Sequence, residues 1–249
     1  MLVLLPPSES KTPRSRGGAY RPEAMSFPEL VDAREAVIAR AGELSESDTA
    51  ATVLGVSPNL TEEIARNTRL RSAPAVPVAA LYTGVLYDAL DLPSLDAAAL
   101  RRANRWLVVQ SALFGALRMK DKVPPYRLSM AVNLPGVGPL ASFWKPLLDE
   151  PMTSAAGKGL IVDCRSSTYA AAWTPSGDLA ARWVQIKVPG ATHMAKHTRG
   201  LVARAICELG LDPRRPEQLA DGLSEQFEVS WDAPTKPGRP WVLSTTTRG

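Results

Sequence analysis

Four stretches of this chain carry residues able to do chemistry, and each is expected at or just past the end of a strand or helix. The densest, Ser111 to Met130, places Arg118, Lys120, Asp121, Lys122 and Arg127 within ten residues, with Tyr126 beside the last of them. Ser8-Glu9-Ser10-Lys11-Thr12 joins small hydroxyls to a lysine after a short apolar start, a combination able to hold a phosphate although no glycine-rich phosphate loop accompanies it. Arg165-Ser166-Ser167-Thr168 is a further polar cluster, and Lys196, Arg199 and Arg204 lie in a window from Leu179 to Cys207 that contains no Asp or Glu. If Ser8, Lys11, Arg118, Asp121, Tyr126, Arg127, Ser166 and Lys196 converge in one cleft, the charges alone suffice to bind a polyanion. Catalysis asks for more. Lys11 or Lys196, crowded by arginines, would lose a proton more easily and act as a nucleophile. Asp121 among so many cations suits an orienting anion better than a general base. These three are the catalytic candidates, and the alternative of ordinary solvated loops stays open beside them.

Other chemistries have little material. His193 and His197 are four residues apart and would share a helical face, but no HExxH glutamate or third ligand stands near, so no metal site is assigned and an iron-binding reading is the weakest considered. Cys164 and Cys207 are widely spaced, which excludes a CxxC redox motif or zinc knuckle and fits a reducing compartment. No cofactor motif is visible. The apolar start, Met1 to Leu5, is too short for a signal-peptide core, and no stretch approaches the roughly 18 apolar residues of a membrane span. A cytoplasmic protein with no membrane partner is expected.

The elements that must position these residues read as α/β. With 249 residues, 45% of them hydrophobic, the chain can bury one large core, and one domain with a small appended module is expected. Strands are expected at Met1–Leu5, Trp106–Gln110, Tyr126–Val132, Leu160–Cys164, Trp183–Val188, Gln226–Trp231 and Trp241–Ser244. The run to Gln110 would then deliver the charged cluster to a strand end, where ligands commonly bind in open α/β sheets. Ser26 and Ser94 are expected to cap helices, Lys145-Pro146 to start one that Pro151 bends, and Gly210 to end one running to Leu209. Leu134-Pro-Gly-Val-Gly138 reads as a β-hairpin turn. Between Ser45 and Arg69, two helices joined through Leu54-Gly55-Val56-Ser57 have the form of a helix-hairpin-helix unit. Gly55 would let the chain turn, and the amides after Ser57-Pro58 would face a phosphate backbone without reading bases.

Net charge is only +4, but cations and acids are segregated: the first 22 residues hold four cations against Glu9 alone, whereas acids gather between Glu23 and Glu63. Strong local fields follow wherever the basic segments meet.

The ordered set Met1-Leu-Val-Leu-Leu-Pro-Pro-Ser-Glu-Ser-Lys-Thr12, Tyr82-Thr-Gly84, Ser111-Ala-Leu-Phe-Gly-Ala-Leu-Arg118 with Asp121, Pro125-Tyr-Arg-Leu128, Phe143-Trp144 and Ala195-Lys196 with Arg199-Gly-Leu-Val-Ala-Arg204 resembles the YaaA family, also called DUF328 or UPF0246. Pro7-Ser-Glu-Ser-Lys11 stands where other members carry a shorter Pro-Ala-Lys. The resemblance spans essentially the whole chain. It implies a cytosolic bacterial protein of the peroxide stress response that limits iron-dependent damage to DNA. It also implies a single compact α/β domain over 1–249 with a mixed sheet, flanking helices and a helix-hairpin-helix element at about 45–70. The implied partner is duplex or distorted DNA in a positively charged cleft; a monomer with no cofactor is expected. Under this reading the phosphate-binding set is Ser8, Lys11, Gly55, Ser57, Arg118, Lys122, Tyr126, Arg127, Ser166, Lys196, Arg199 and Arg204. An enzyme acting on a nucleotide or damaged nucleobase in the same cleft is the alternative.

Overall fold

The computed structural model describes residues 1–190 and 192–248. Its centre is β1 (Leu2–Leu5), a run of four aliphatic residues with no solvent exposure. Such an uninterrupted apolar strand is what a sheet covered on both faces demands. β1 lies parallel between β2 (Leu107–Ser111) and β4 (Ile161–Asp163), with Leu4 level with Val108 on one side and Asp163 on the other. Outward from β4 come β5 (Trp183–Lys187) and β7 (Trp241–Thr247), both parallel, then the antiparallel edge strand β6 (Phe227–Asp232). The other edge is β3 (Gly115–Arg118), antiparallel to β2. The seven strands run β6-β7-β5-β4-β1-β2-β3, a mixed sheet flanked by helices, so the chain has an α/β fold.

This order creates a switch point. The chain leaves β1 toward β2 on one side and leaves β4 toward β5 on the other, so the segments after the carboxyl ends of β1 and β4 diverge and leave a crevice between them. That crevice is the usual ligand position in open α/β sheets. Pro6 and Cys164, the residues that follow these two strands, both line it.

The helices that matter for the site are α1 (Val31–Ser45), α2 (Ala50–Leu54), α3 (Thr61–Ala65), α4 (Val85–Leu90), α5 (Ala97–Trp106) and α6 (Thr192–Leu209). α6 follows β5 and crosses α4 at Gly200, where a Cβ would stand 2.2 Å from the Leu86 carbonyl oxygen. Only glycine permits that approach, and it places the preceding turn of α6 over the crevice.

Several local expectations are corrected. α1 begins after a 3₁₀ turn, Pro28–Leu30, without a Ser26 cap: Phe27, left-handed at φ +58°, precedes that turn, and the Ser26 amide donates to Asp121 Oδ1 at 2.8 Å. α5 is capped by Asp96, which accepts from the Ala99 amide at 2.7 Å, and not by Ser94. A helix starts at Leu140, before Lys145-Pro146, and the next begins at Asp149. Tyr126–Val132 forms no strand: the backbone of Arg127 pairs with the side chain of Asn67, and the chain turns at Met130-Ala131, where the Val132 amide donates to Ser129 O at 3.1 Å. The turn around Pro135-Gly136 does form a hairpin, pairing Asn133–Leu134 with Gly138–Pro139.

The largest correction concerns the charged stretch after β2. The chain reverses within Ala112-Leu113-Phe114, and Gly115, at φ +71°, opens β3 against Ser111. A Cβ at Gly115 would stand 2.7 Å from the buried Trp144 ring, and Arg34, fully buried, donates to the Phe114 and Ala116 carbonyls to hold the reversal. β3 therefore runs back, and Arg118 ends opposite Val108 near the start of β2.

Candidate functional site

The crevice at the switch point is a cleft of about 800 Å³. One wall is the loop after β1, which folds back so that Lys11 bridges Tyr82 in antiparallel fashion and the Thr12 amide donates to Leu81 O at 2.9 Å. This return carries the Lys11 side chain inward until only 7% of the residue is exposed. Its Nζ donates to the carbonyls of Ser8 (2.8 Å) and Glu9 (3.3 Å) and sits 4.2 Å from the centre of the Tyr126 ring. Burial, with the Arg127 charge second, lowers the ammonium pKa to about 7, against the opposing pull of Glu63 and Glu9.

Beneath Lys11 runs a buried hydroxyl chain. Ser111 Oγ accepts from the amides of Leu113 and Phe114, so its own proton goes to Tyr126 Oη at 2.7 Å. Tyr126 Oη shares a second hydrogen bond with Tyr82 Oη at 2.9 Å. Burial pushes both phenol pKa values well above their ordinary value, so the pair is a neutral, rigid support for Lys11 and neither an acid nor a base near neutral pH.

Arg127 is held twice. Asn67 grips its backbone, Oδ1 accepting the amide at 2.9 Å and Nδ2 donating to the carbonyl at 2.8 Å. Its guanidinium bridges Glu63 at 3.2 Å and Glu9 at 3.0 Å. Glu9 is 82% exposed, so that second pair contributes little and yields readily to a competing anion. α6 adds to the lining Lys196, exposed, and Arg199, whose Nε donates to Ile186 O at 3.3 Å. Ser8 lies at the cleft edge, its Oγ accepting from the Thr83 amide, and Ser166 stands just after β4. Gly55, at the end of α2, completes the rim. Cys164 also faces the cleft, but burial pushes its thiol up to about 12, so it is an inert wall.

Thus Ser8, Lys11, Gly55, Arg127, Ser166, Lys196 and Arg199 gather at one cleft, with Tyr126 packed beneath Lys11. Five expected members lie elsewhere. Arg118, carried back by β3, borders a separate cavity of about 570 Å³ that includes Met1, at the start of β1, and donates to the Arg105 carbonyl. Asp121 is 4% exposed and accepts from the amides of Ser26 and Arg118, a loop-bracing role. Lys122 pairs with Pro77 in a two-stranded ribbon. Arg204 clamps the end of α4 through the Leu90 and Asp91 carbonyls and is paired with Asp91 and Glu208. Ser57 is exposed, its Oγ accepting from the Asn59 amide.

The expected helix-hairpin-helix region is two helices of five residues each, joined by Gly55–Leu60, and the second starts at Thr61 and not at Pro58. Its inner side lines the cleft and supplies Glu63 and Asn67 to Arg127. Asn67, Glu63 and Glu9 are site residues that sequence reasoning missed. Their contacts span 60 to 118 positions, and no local pattern marks them. Among the described residues no three His, Cys, Asp or Glu side chains gather as a metal-ligand set, and no helix is long and apolar enough to cross a membrane.

A model of the peroxide stress protein YaaA family matches residues 1–233. A UPF0246 protein of Streptomyces coelicolor is 48% identical over 252 residues, covering 98% of this chain and 97% of the relative. A UPF0246 protein of Corynebacterium efficiens is 40% identical over 227 residues, covering 89% and 91%, and one of Corynebacterium glutamicum is 36% identical over 235 residues, covering 90% and 91%. The chain belongs to the YaaA peroxide stress protein family, UPF0246.

Proposed function

We propose that this protein is a cytoplasmic DNA-binding member of the peroxide stress response that grips the phosphate backbone without reading sequence. The observation that carries this reading is the meeting of Arg127 with Lys196 and Arg199, from remote segments, at one cleft whose one lining carboxylate among the described residues, Glu9, is exposed and paired with Arg127. A cleft of about 800 Å³ is sized for a small ligand and takes one nucleotide, not a duplex, so DNA with a displaced nucleotide fits better than regular duplex. By covering such sites the protein limits iron-dependent damage there. The test is a salt titration with duplex and mismatched oligonucleotides. Three phosphate contacts imply a slope near −2.7 in log affinity against log salt, roughly a 40-fold loss between 50 and 200 mM. Arg199→Ala should weaken binding to all sequences alike, whereas Arg118→Ala, on the separate cavity, should not. Affinity indifferent to salt would refute the reading.

One observation favours a second reading, an enzyme acting on a nucleotide or damaged nucleobase. Among the described residues the buried Lys11 amine has two carbonyl acceptors and the faces of Tyr126 and Tyr82 around it, which polyanion binding alone does not require.

A further inference from the structure

Lys11 is poorly built as a phosphate ligand. A lysine that serves as a point charge keeps its ammonium hydrated or paired, but here Nζ is withdrawn beneath the loop and, among the described residues, hydrogen-bonds to two backbone carbonyls and to no carboxylate. A neutral amine has two N–H groups, one for each of those carbonyls, and keeps its lone pair for another atom. The polarity of the pocket agrees: burial and Arg127 hold the amine half neutral at about pH 7. Desolvation beside a permanent cation is the standard means of making a lysine nucleophilic. Among the described residues no histidine or carboxylate hydrogen-bonds to Nζ to serve as a base. The electrophile must therefore be one that an amine attacks unaided, which an aldehyde is and an ester or phosphoanhydride is not. Arg127, Lys196 and Arg199 around the same cleft select a phosphorylated partner.

Resting on the second reading, we propose that Lys11 forms an imine with the aldehyde of an open-chain sugar phosphate seated in the cleft, its phosphate on Lys196 and Arg199. The Nζ lone pair attacks the aldehyde carbon, a C–N bond forms, and the carbonyl oxygen takes a proton to give the carbinolamine. Loss of that hydroxyl as water, with the amine's second proton, leaves the C=N bond. One amine and one aldehyde become one imine and one water, with no change of oxidation state. The same aldehyde chemistry occurs in two sources, the abasic deoxyribose of a DNA strand and a free pentose phosphate.

The test is borohydride trapping with the full chain in two arms, a duplex oligonucleotide carrying one abasic site and free ribose 5-phosphate, read by intact mass and peptide mapping. The expected result is a secondary-amine adduct mapped to Lys11, at least tenfold reduced at pH 7 in Lys11→Arg, whose guanidinium cannot form the imine. An adduct in the first arm alone assigns the DNA source, and in the second alone the free sugar. No adduct at Lys11 in either arm, or equal labelling of surface lysines that survives in Lys11→Arg, overturns the proposal. Binding of an undamaged duplex is titrated in parallel. Retained salt-dependent binding without trapping removes the imine and leaves the DNA reading standing, and trapping of the free sugar without duplex binding does the reverse.

Discussion

Replacing Lys11 by methionine keeps an unbranched apolar stem against Tyr126 and removes the buried amine. In the unfolded chain the amine titrates at its ordinary value of 10.5, in the folded protein at about 7. Below about pH 7 both states hold the proton, and the full cost of burying the charge is present without pH dependence. Between about 7 and 10.5 the unfolded state holds a proton that the folded state has lost, so wild-type stability rises with pH by up to about 1.4 kcal/mol per pH step. At pH 7 the charge costs the wild type roughly 4 kcal/mol, and at pH 9.5 roughly 1.4 kcal/mol. Methionine escapes that cost and forfeits two part-buried hydrogen bonds to backbone carbonyls, about 1 kcal/mol each. The variant should therefore be more stable than wild type by about 2 kcal/mol at pH 7, and the advantage should vanish or reverse near pH 9.5. Urea unfolding of both proteins at the two pH values measures the difference directly, since every other titrating group is common to both. A difference that stays flat with pH would show that Lys11 keeps its proton throughout. Lys11 would then have no lone pair to offer near neutral pH, and no imine could form there.

Glu9→Gln removes the exposed acid that competes with phosphate for Arg127; at about 5 Å in water-like surroundings that charge opposes an incoming anion by about 0.8 kcal/mol, so oligonucleotide affinity should rise roughly fourfold in a fluorescence titration. Asn67→Ala leaves the amide and carbonyl of Arg127 without their partner and should cost about 2–4 kcal/mol in urea unfolding, with weaker anion binding because Arg127 is no longer held at the cleft. Gly115→Ala combines a left-handed backbone with a Cβ driven into Trp144, a loss of about 2–5 kcal/mol visible as a lower melting temperature; unchanged stability would mean that the hairpin turns by another route.

Much of the frame was legible in the chain itself. Leu2–Leu5 reads as a buried strand because no polar residue interrupts it, Gly210 ends α6 at Leu209 as expected, and the Pro-Gly pair after Leu134 turns a hairpin. Placement of Ser8 and Lys11 in the loop after β1 and of Ser166 just after β4 was also visible, because turn residues and apolar runs mark those ends over a few positions, whereas Lys196 lies inside α6 and not at its end. Other features were decided only by tertiary structure. Arg118 and Arg127 lie in one charged stretch, yet a three-residue reversal sends the first to a separate cavity, and the backbone grip of Asn67, 60 positions earlier, fixes the second at the cleft. The half-neutral state of Lys11 likewise comes from the loop's return onto Tyr82 and from the tyrosines beneath it. Period, caps and turns are short-range properties of the chain, whereas the direction of a side chain after a reversal, and the desolvation of a charge, depend on which distant segments close over it.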